Sequence, residues 1–381
     1  MKRCDIGVVG GGQLGKMLLM EGYRMGLSFA VLDPSKTCPA KGMAHEFIHG
    51  RFFDEIKIQQ LAEKSQRLTY EFEHIHAKML MKLESKGCQV MPSPETLYMI
   101  QDKYQQNKEL ESHCLPVAPY KKIEQKQDLI EAADLFGYPF LLKSRFGGYD
   151  GKGNVKVDGP EVLDDSYDLL DGKERPLMAE KFIAFKMEIS VIAARDSLGN
   201  IETFPVGQNI HQDNILDRSI VPAPLPAEVL NSADKLAKKT LKHLKGAGIF
   251  CIEMFVGEDQ QLWINEIAPR THNSGHYSIE ACNISQFGQQ IRTIMGWPLV
   301  KPTLFKPAVM VNLLGDPVKS GNAKLVGIEE AMGIADVYPH WYGKTESRPG
   351  RKMGHVTILA DSSEEANEKA EKIRKVLKVT V

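Results

Sequence analysis

Glu253, Asn265 and Glu266 could together hold a hard divalent cation. Glu253 lies in the apolar run 249–256. Asn265 and Glu266 lie in the run 261–267. Both runs carry the β-branched and aromatic character of strands, and Gly257, Glu258, Asp259 and Gln260 between them read as a hairpin loop. Paired, the strands bring two carboxylates and an amide oxygen to neighbouring positions on one side of the ribbon. There the acids repel unless a cation lies between them. Mg²⁺ takes oxygen ligands and keeps substrate phosphates in its shell, so the pattern points to an ATP site. On the hairpin alone, ordinary acids on a solvated ribbon fit as well.

Other segments carry complementary chemistry. Lys143 ends a strand, and a second strand starts at Asn154. Between them Gly147, Gly148, Gly151 and Gly153 make a flap able to offer backbone N–H groups to phosphates. No GxxxxGK[ST] run is present, so this is not a Walker loop. Strand-like runs at 178–183 and 187–193 are joined by a segment that can meet an adenine edge, and Glu188 could accept ribose hydroxyls. Lys344, Arg348, Arg351 and Lys352, broken by Gly and Pro, suit a phosphomonoester. A solvated basic loop would look the same. Near the start, GGGQLG at 10–15 follows a strand at 5–9, precedes a helix at 16–21, and is followed by a strand at 29–32 ending in Asp33. This is the dinucleotide fingerprint, and alone it predicts a dehydrogenase.

These groups need two or three domains to position them, and 381 residues suffice. The alternation is α/β. A Rossmann-like unit is expected over 1–100, with a strand 67–73 ending in acids. A nucleotide domain in two lobes is expected over 101–300, with one helix running from Glu95 through Lys103 and another over 128–136. A small β-rich domain over 301–381 ends in an amphipathic helix, 363–373. Charged residues make up 25% and the net charge is −1, which gives no electrostatic case for a nucleic-acid or membrane partner. No apolar run nears the roughly 20 residues of a bilayer span, and the N-terminus enters a strand without a signal-peptide pattern. The six cysteines lack CxxC or zinc spacing and read as reduced thiols of a cytoplasmic enzyme.

Taken together the chain resembles the ATP-grasp superfamily. Within it the motifs resemble the N5-carboxyaminoimidazole ribonucleotide synthetase family of bacterial purine biosynthesis. They are GGGQLG at 10–15, TYEFE at 69–73, GGYDGKG at 147–153, NIHQDNIL at 209–216, NEIAPRTHNSGHYSIEAC at 265–282 and GKTESRPGRKMGH at 343–355. The resemblance implies an ATP-grasp fold and the condensation of ATP, bicarbonate and 5-aminoimidazole ribonucleotide into ADP, phosphate and the N5-carboxylated ribonucleotide. It implies Mg²⁺ on Glu253 and Glu266 with Asn265 beside them. It gives Lys103 and Lys143 to the ATP phosphates, covered by Gly148, Tyr149, Asp150, Gly151, Lys152 and Gly153. Glu180, Lys181, Phe182 and Ile183 border adenine, Glu188 the ribose, and His211 lies near the nucleotide. Arg270, His272, Asn273 and Ser274 match the bicarbonate pocket. Gln13, Leu14, Glu73, Tyr149, Asp150, Lys152, Lys344 and Arg351 match the ribonucleotide site, the last two gripping its phosphate. Asp150 is the candidate proton acceptor from the exocyclic amine. A homodimer is expected.

Lys16, His74 and Thr271 depart from the family pattern, each beside a proposed functional residue. A formate-using glycinamide ribonucleotide ligase or a biotin carboxylase is the nearer rival. A binding module without activity is disfavoured, because every proposed group is chemically intact.

Overall fold

The computed structural model of the protein describes residues 3–148 and 153–381. β1 (Cys4–Val9) is an almost wholly buried apolar run, as a parallel sheet covered by helices requires. β2 (Phe29–Asp33), β3 (Glu46–His49), β4 (Ser65–Tyr70) and β5 (Gln89–Val90) join it in the order β3-β2-β1-β4-β5, all parallel. The order reverses between β1 and β4. Open α/β sheets place ligands in the crevice at such a reversal. The glycine turn follows β1, and Glu71 and Glu73 follow β4, so both border that crevice.

The strand expected over 67–73 stops at Tyr70, because Glu71 turns away to brace the glycine turn. Its carboxylate accepts the N–H groups of Gly12 and Gly15 at the start of the helix Gln13–Tyr23, which has no side-chain cap of its own. Asp33 Oδ2 takes the N–H of Gly11 at 2.8 Å. A Cβ on Gly10 would stand 2.4 Å from Glu71 Cγ, and one on Gly12 would stand 2.7 Å from its Oε1. The glycines thus make room for an internal acid. The N–H groups that would hold a dinucleotide's pyrophosphate are already bonded to Glu71 and Asp33, which answers the dehydrogenase reading.

The single helix expected from Glu95 through Lys103 is two, Pro94–Ile100 and Lys103–Ser112. Asp102 separates them. It caps the second helix, accepting from Tyr104 N at 3.1 Å, and receives Arg145 Nε at 2.9 Å. Asp favours caps over helix interiors because its short carboxylate competes for backbone N–H groups. The following lobe is an antiparallel sheet of β6 (Tyr120–Ile123), β7 (Phe140–Ser144), β8 (Asn154–Val157) and β9 (Leu177–Lys181), ordered β6-β9-β7-β8. The helix Gln127–Phe136 leads into β7 and stops at Gly137, whose φ is +70°. The glycine-rich connection joins β7 to its antiparallel partner β8, as expected.

A large sheet supplies the other lobe. Its strands are β10 (Phe185–Arg195), β11 (Ile201–Thr203), β12 (Gly207–Gln212), β13 (Ile215–Val221), β14 (Gly248–Gly257), β15 (Leu262–Ala268), β16 (Ala308–Leu314), β17 (Val337–Trp341) and β18 (Lys352–Leu359). They run β15-β14-β10-β12-β13-β16-β18-β17, with β11 on β10. The sheet therefore passes the proposed boundary at residue 300 through the β13–β16 pair. The C-terminal segment also reaches the first domain. Tyr342, 2% exposed, packs in the core of the N-terminal sheet with Leu14, Met17 and Phe287. Lys16 Nζ donates to the carbonyl of Tyr342 at 3.1 Å. The basic loop that follows is thereby held over the glycine turn.

Replacing Glu71 with Ala leaves the Gly12 and Gly15 N–H groups without this acceptor. The expected loss is about 1–3 kcal/mol for each buried donor, read as a lower urea midpoint. An unchanged midpoint would show that water replaces the brace.

Candidate active site

The acid ribbon is the β14–β15 hairpin, where Glu253 stands directly opposite Glu266. The next paired residues are Met254 and Ile264, so Asn265 is the extra residue of a bulge. A regular strand sends neighbours to opposite faces. The bulge interrupts that alternation, and Asn265 and Glu266 are both half-buried beside half-buried Glu253. The Glu253 carboxyl is pushed up to about 7, first by burial and then by the charge of Glu266. Two facing acids without a cation cannot both ionise cheaply.

Cationic and neutral groups surround this pair. Lys103 Nζ, at the first position of its helix, lies 2.9 Å from Glu266 Oε2. Burial would lower its pKa, but Glu266 outweighs burial and raises it. Lys143 pairs with Glu180, both buried, and Asn107 Nδ2 donates to Glu180 at 3.1 Å. His211 Nδ1 is 2.8 Å from Glu188 Oε2. Burial opposes a charged His211, yet the bond to Glu188 prevails and its pKa is raised. Glu188, His211 and Glu266 all act electrostatically on Glu253, which ties them into one field. Lys181, Phe182 and Ile183 close β9 and lead into β10, with Lys156 Nζ 5.4 Å from the Phe182 ring centre. Gly148 lies in the connection, and Gly153 accepts Ser144 N at 2.7 Å. Tyr149, Asp150, Gly151 and Lys152 lie outside the described residues.

Beyond the ribbon, the sequence-predicted residues take unexpected partners. Arg270, given a fork for carbonate, spends that fork on Glu73: Nη2 donates to Glu73 Oε1 at 2.9 Å and Nε to the other oxygen. Burial would raise the Glu73 carboxyl, but Arg270 overrides it and holds it down to about 2. His272 Nε2 faces Glu253 Oε1 at 3.6 Å. Its imidazole is held well below its usual value by burial and by Arg270, hence neutral. Asn273 exchanges hydrogen bonds with Asn312 at 3.0 and 2.7 Å. Ser274, 1% exposed, is bonded to His272 Nδ1 at 2.9 Å and to Ser190 Oγ at 2.8 Å. Leu14 is 8% exposed and belongs to the core. The side chains of Leu14, Asn273 and Ser274 are thus buried here, with Asn273 and Ser274 engaged by neighbouring polar side chains.

The basic loop adjoins the ribbon. Lys344 Nζ donates to the Lys352 carbonyl at 2.6 Å, and Arg351 Nη1 to the Glu346 carbonyl at 2.6 Å. The charge of Lys352 acts on Glu253, His272 and Lys344, and Glu71 acts on Lys344. Glycine turn with Gln13, basic loop and acid ribbon therefore face one another. Sequence reasoning missed Glu71, Asn312 and Ser190 as supports. Asn312 had a readable signal: a lone amide inside the apolar strand AVMVNLL needs a partner.

Family models match as a ribonucleotide synthetase preATP-grasp domain over 1–101, an ATP-grasp domain over 108–287, and a phosphoribosylaminoimidazole carboxylase C-terminal domain over 308–369. The N5-carboxyaminoimidazole ribonucleotide synthase of Staphylococcus epidermidis is 39% identical over 359 residues, spanning 94% of this chain and 93% of its own. The chain belongs to the N5-carboxyaminoimidazole ribonucleotide synthase family. A crystal structure of the family from Thermotoga maritima superposes with a TM-score of 0.90 at 40% identity, covering 99% of both chains. An Aspergillus clavatus member of the family, solved with ADP and 5-aminoimidazole ribonucleotide, has a TM-score of 0.89 at 31% identity and 98% coverage of both.

Glu73→Ala strands the Arg270 guanidinium without its buried partner. The expected loss is about 3 kcal/mol, measured from urea unfolding, and adding Arg270→Met should recover part of it. A double variant no more stable than the single would contradict a buried pair.

Proposed function

We propose that this protein uses ATP and bicarbonate to carboxylate the exocyclic amine of 5-aminoimidazole ribonucleotide, releasing ADP and phosphate, as a step of purine biosynthesis. The observation that carries this reading is the Glu253–Glu266 pair set between Lys103 and the basic loop. Bicarbonate is a poor electrophile because its leaving group is hydroxide. Transfer of the terminal phosphoryl of ATP to a bicarbonate oxygen gives carboxyphosphate and ADP. The amine then attacks the carboxyl carbon, directly or as released CO₂, and phosphate leaves with the bonding electrons.

Glu253 and Glu266, with Asn265 beside them, fit Mg²⁺: all three offer oxygen, and the raised Glu253 carboxyl marks a place short of positive charge. When bound there the ion supplies neutralisation of phosphate charge. Lys103 and Lys143 position and neutralise the phosphates, and the glycine-rich connection covers them. Water must be kept out, since carboxyphosphate hydrolyses readily. His272, neutral and beside Glu253, and Arg270, held by Glu73, border the carbonate. Asp150 is assigned the amine proton, and Lys344 and Arg351 the 5′-phosphate. The resemblance also supports a cytoplasmic homodimer. No helix among the described residues is long and apolar enough to cross a membrane.

ADP release is expected to require bicarbonate and 5-aminoimidazole ribonucleotide together. Release with formate and glycinamide ribonucleotide, or with biotin, would move the protein to another ATP-grasp ligase. A second outcome concerns pH. The Lys344 ammonium is pushed down to about 8, first by burial and then by the Arg351 charge. Above that pH the free enzyme loses the positive charge that would meet the phosphate. kcat/KM for the ribonucleotide should therefore fall as pH rises through about 8. Lys344→Arg should remove that fall, because guanidinium stays protonated. A profile identical in both proteins would take Lys344 out of the phosphate site.

A further inference from the structure

The proposed carboxylation leaves Cys251 without a part. It lies two residues before Glu253 on β14, so both side chains leave the same face of the strand. His272 returns to that face after β15. Cys251 Sγ, a Glu253 oxygen and a His272 ring nitrogen all lie within 4.8 Å of one another. The Nε2 to Oε1 separation is 3.6 Å, near the roughly 3.3 Å edge of a tetrahedron built on zinc–nitrogen and zinc–oxygen bonds. Cys251 is fully buried, whereas the side chains of Glu253 and His272 are 23% and 18% exposed, so an ion can enter over those two.

The surroundings are built to orient these ligands. Ser274 Oγ lies 2.9 Å from His272 Nδ1 and 3.7 Å from Cys251 Sγ, and Ser190 Oγ holds it at 2.8 Å. In the free site His272 Nδ1 accepts the Ser274 backbone N–H at 3.4 Å, which puts the ring proton on Nε2; a metal at Nε2 takes the other tautomer, with Nδ1–H donated to Ser274 Oγ. Hydrogen bonds of this kind fix the tautomer and ring plane of a metal-ligating imidazole.

We propose that Cys251, Glu253 and His272 form a binding site for a borderline divalent cation, zinc above all, which shares Glu253 with the magnesium seat. One thiolate, one imidazole and one carboxylate are donors that zinc accepts, leaving a fourth position for water. Magnesium takes hard oxygen and gains nothing from sulfur. On binding, the Cys251 S–H bond breaks, its proton goes to solvent, and the electron pair stays on sulfur as the Zn–S bond. Zinc held this way draws Glu253 away from Glu266 and inhibits turnover. The inhibitory half rests on the carboxylation reading, whereas the binding half does not.

The test titrates the chelator-treated 381-residue protein with Co²⁺ as a visible stand-in for Zn²⁺. The wild type is expected to show a thiolate-to-cobalt charge-transfer band at one equivalent, lost when Zn²⁺ is added. Cys251→Ser and Cys251→Ala should lack the band, and Cys114→Ser, which removes an exposed thiol, should keep it. No band in the wild type, or a band that survives in both Cys251 variants, overturns the site. Zn²⁺ inhibition, scaled to each protein's own zinc-free rate, should weaken roughly tenfold or more in the Cys251 variants, since even a change behind a ligand costs that much affinity. Equal inhibition in all proteins overturns the inhibitory half. If 5-aminoimidazole ribonucleotide and bicarbonate elicit no ADP release at all, the carboxylation reading fails, and the cobalt band still decides the site.

Discussion

Two like charges on adjacent strands govern the arrangement of this molecule. Glu253 and Glu266 face each other across a β-ladder, with burial and mutual repulsion holding the Glu253 carboxyl near neutrality. A solvated ribbon would leave Glu253 in the ordinary carboxylate range. Here their strand neighbours Ile252, Met254, Ile264 and Ile267 are buried in the large core, and the Glu253 side chain is mostly withdrawn from water. The cost is tolerable only if positive charge is brought near. Lys103 from one helix and Lys352 from the basic loop supply some of it. The rest defines a place for a cation, which is why the hairpin is a candidate site.

The domains meet around that field for topological reasons. A parallel sheet whose strand order reverses between β1 and β4 opens a crevice beyond those strand ends. The glycine turn would ordinarily offer its N–H groups there to an external anion. Glu71 fills that role from within, and burial raises its carboxyl to about 7. The turn is thus braced from within the chain. It can present Gln13 and backbone to the crevice, while Lys16 and Tyr342 fix the basic loop opposite.

Much of this was legible in the residues, and the exceptions share a cause. The apolar runs of β1, β2 and β14, the stop at Gly137 and the glycine-rich β7–β8 connection are local patterns, and local patterns survive folding. The facing of Glu253 and Glu266 was also readable, because a short hairpin loop fixes register. The bulge at Asn265 was not, since it depends on how β15 accommodates its neighbours. Nor could spacing show that Asp102 would break a helix to receive Arg145, because the partner lies 43 residues away. Arg270 and Glu73, assigned separately to two ligands, pair across 197 residues. The glycine fingerprint misled for the same reason: its acid brace comes from another strand.

One regularity joins these long-range pairs. Lys103 holds Glu266, Lys143 holds Glu180, Arg270 holds Glu73 and His211 holds Glu188. Lys103, Lys143 and Arg270 and the histidine placed near the nucleotide are each met by an internal carboxylate, whereas Lys344 and Arg351 donate to backbone carbonyls. Leaving a buried cation unpaired costs several kcal/mol, so these carboxylates stabilise the ligand-free site. In the proposed reaction a nucleotide and its metal would replace them in matched fashion. Phosphate oxygens would take Lys103 as a metal took Glu266, which would conserve the number of paired charges. Binding would then exchange one set of ion pairs for another, so its net free energy would be smaller than the contacts alone suggest.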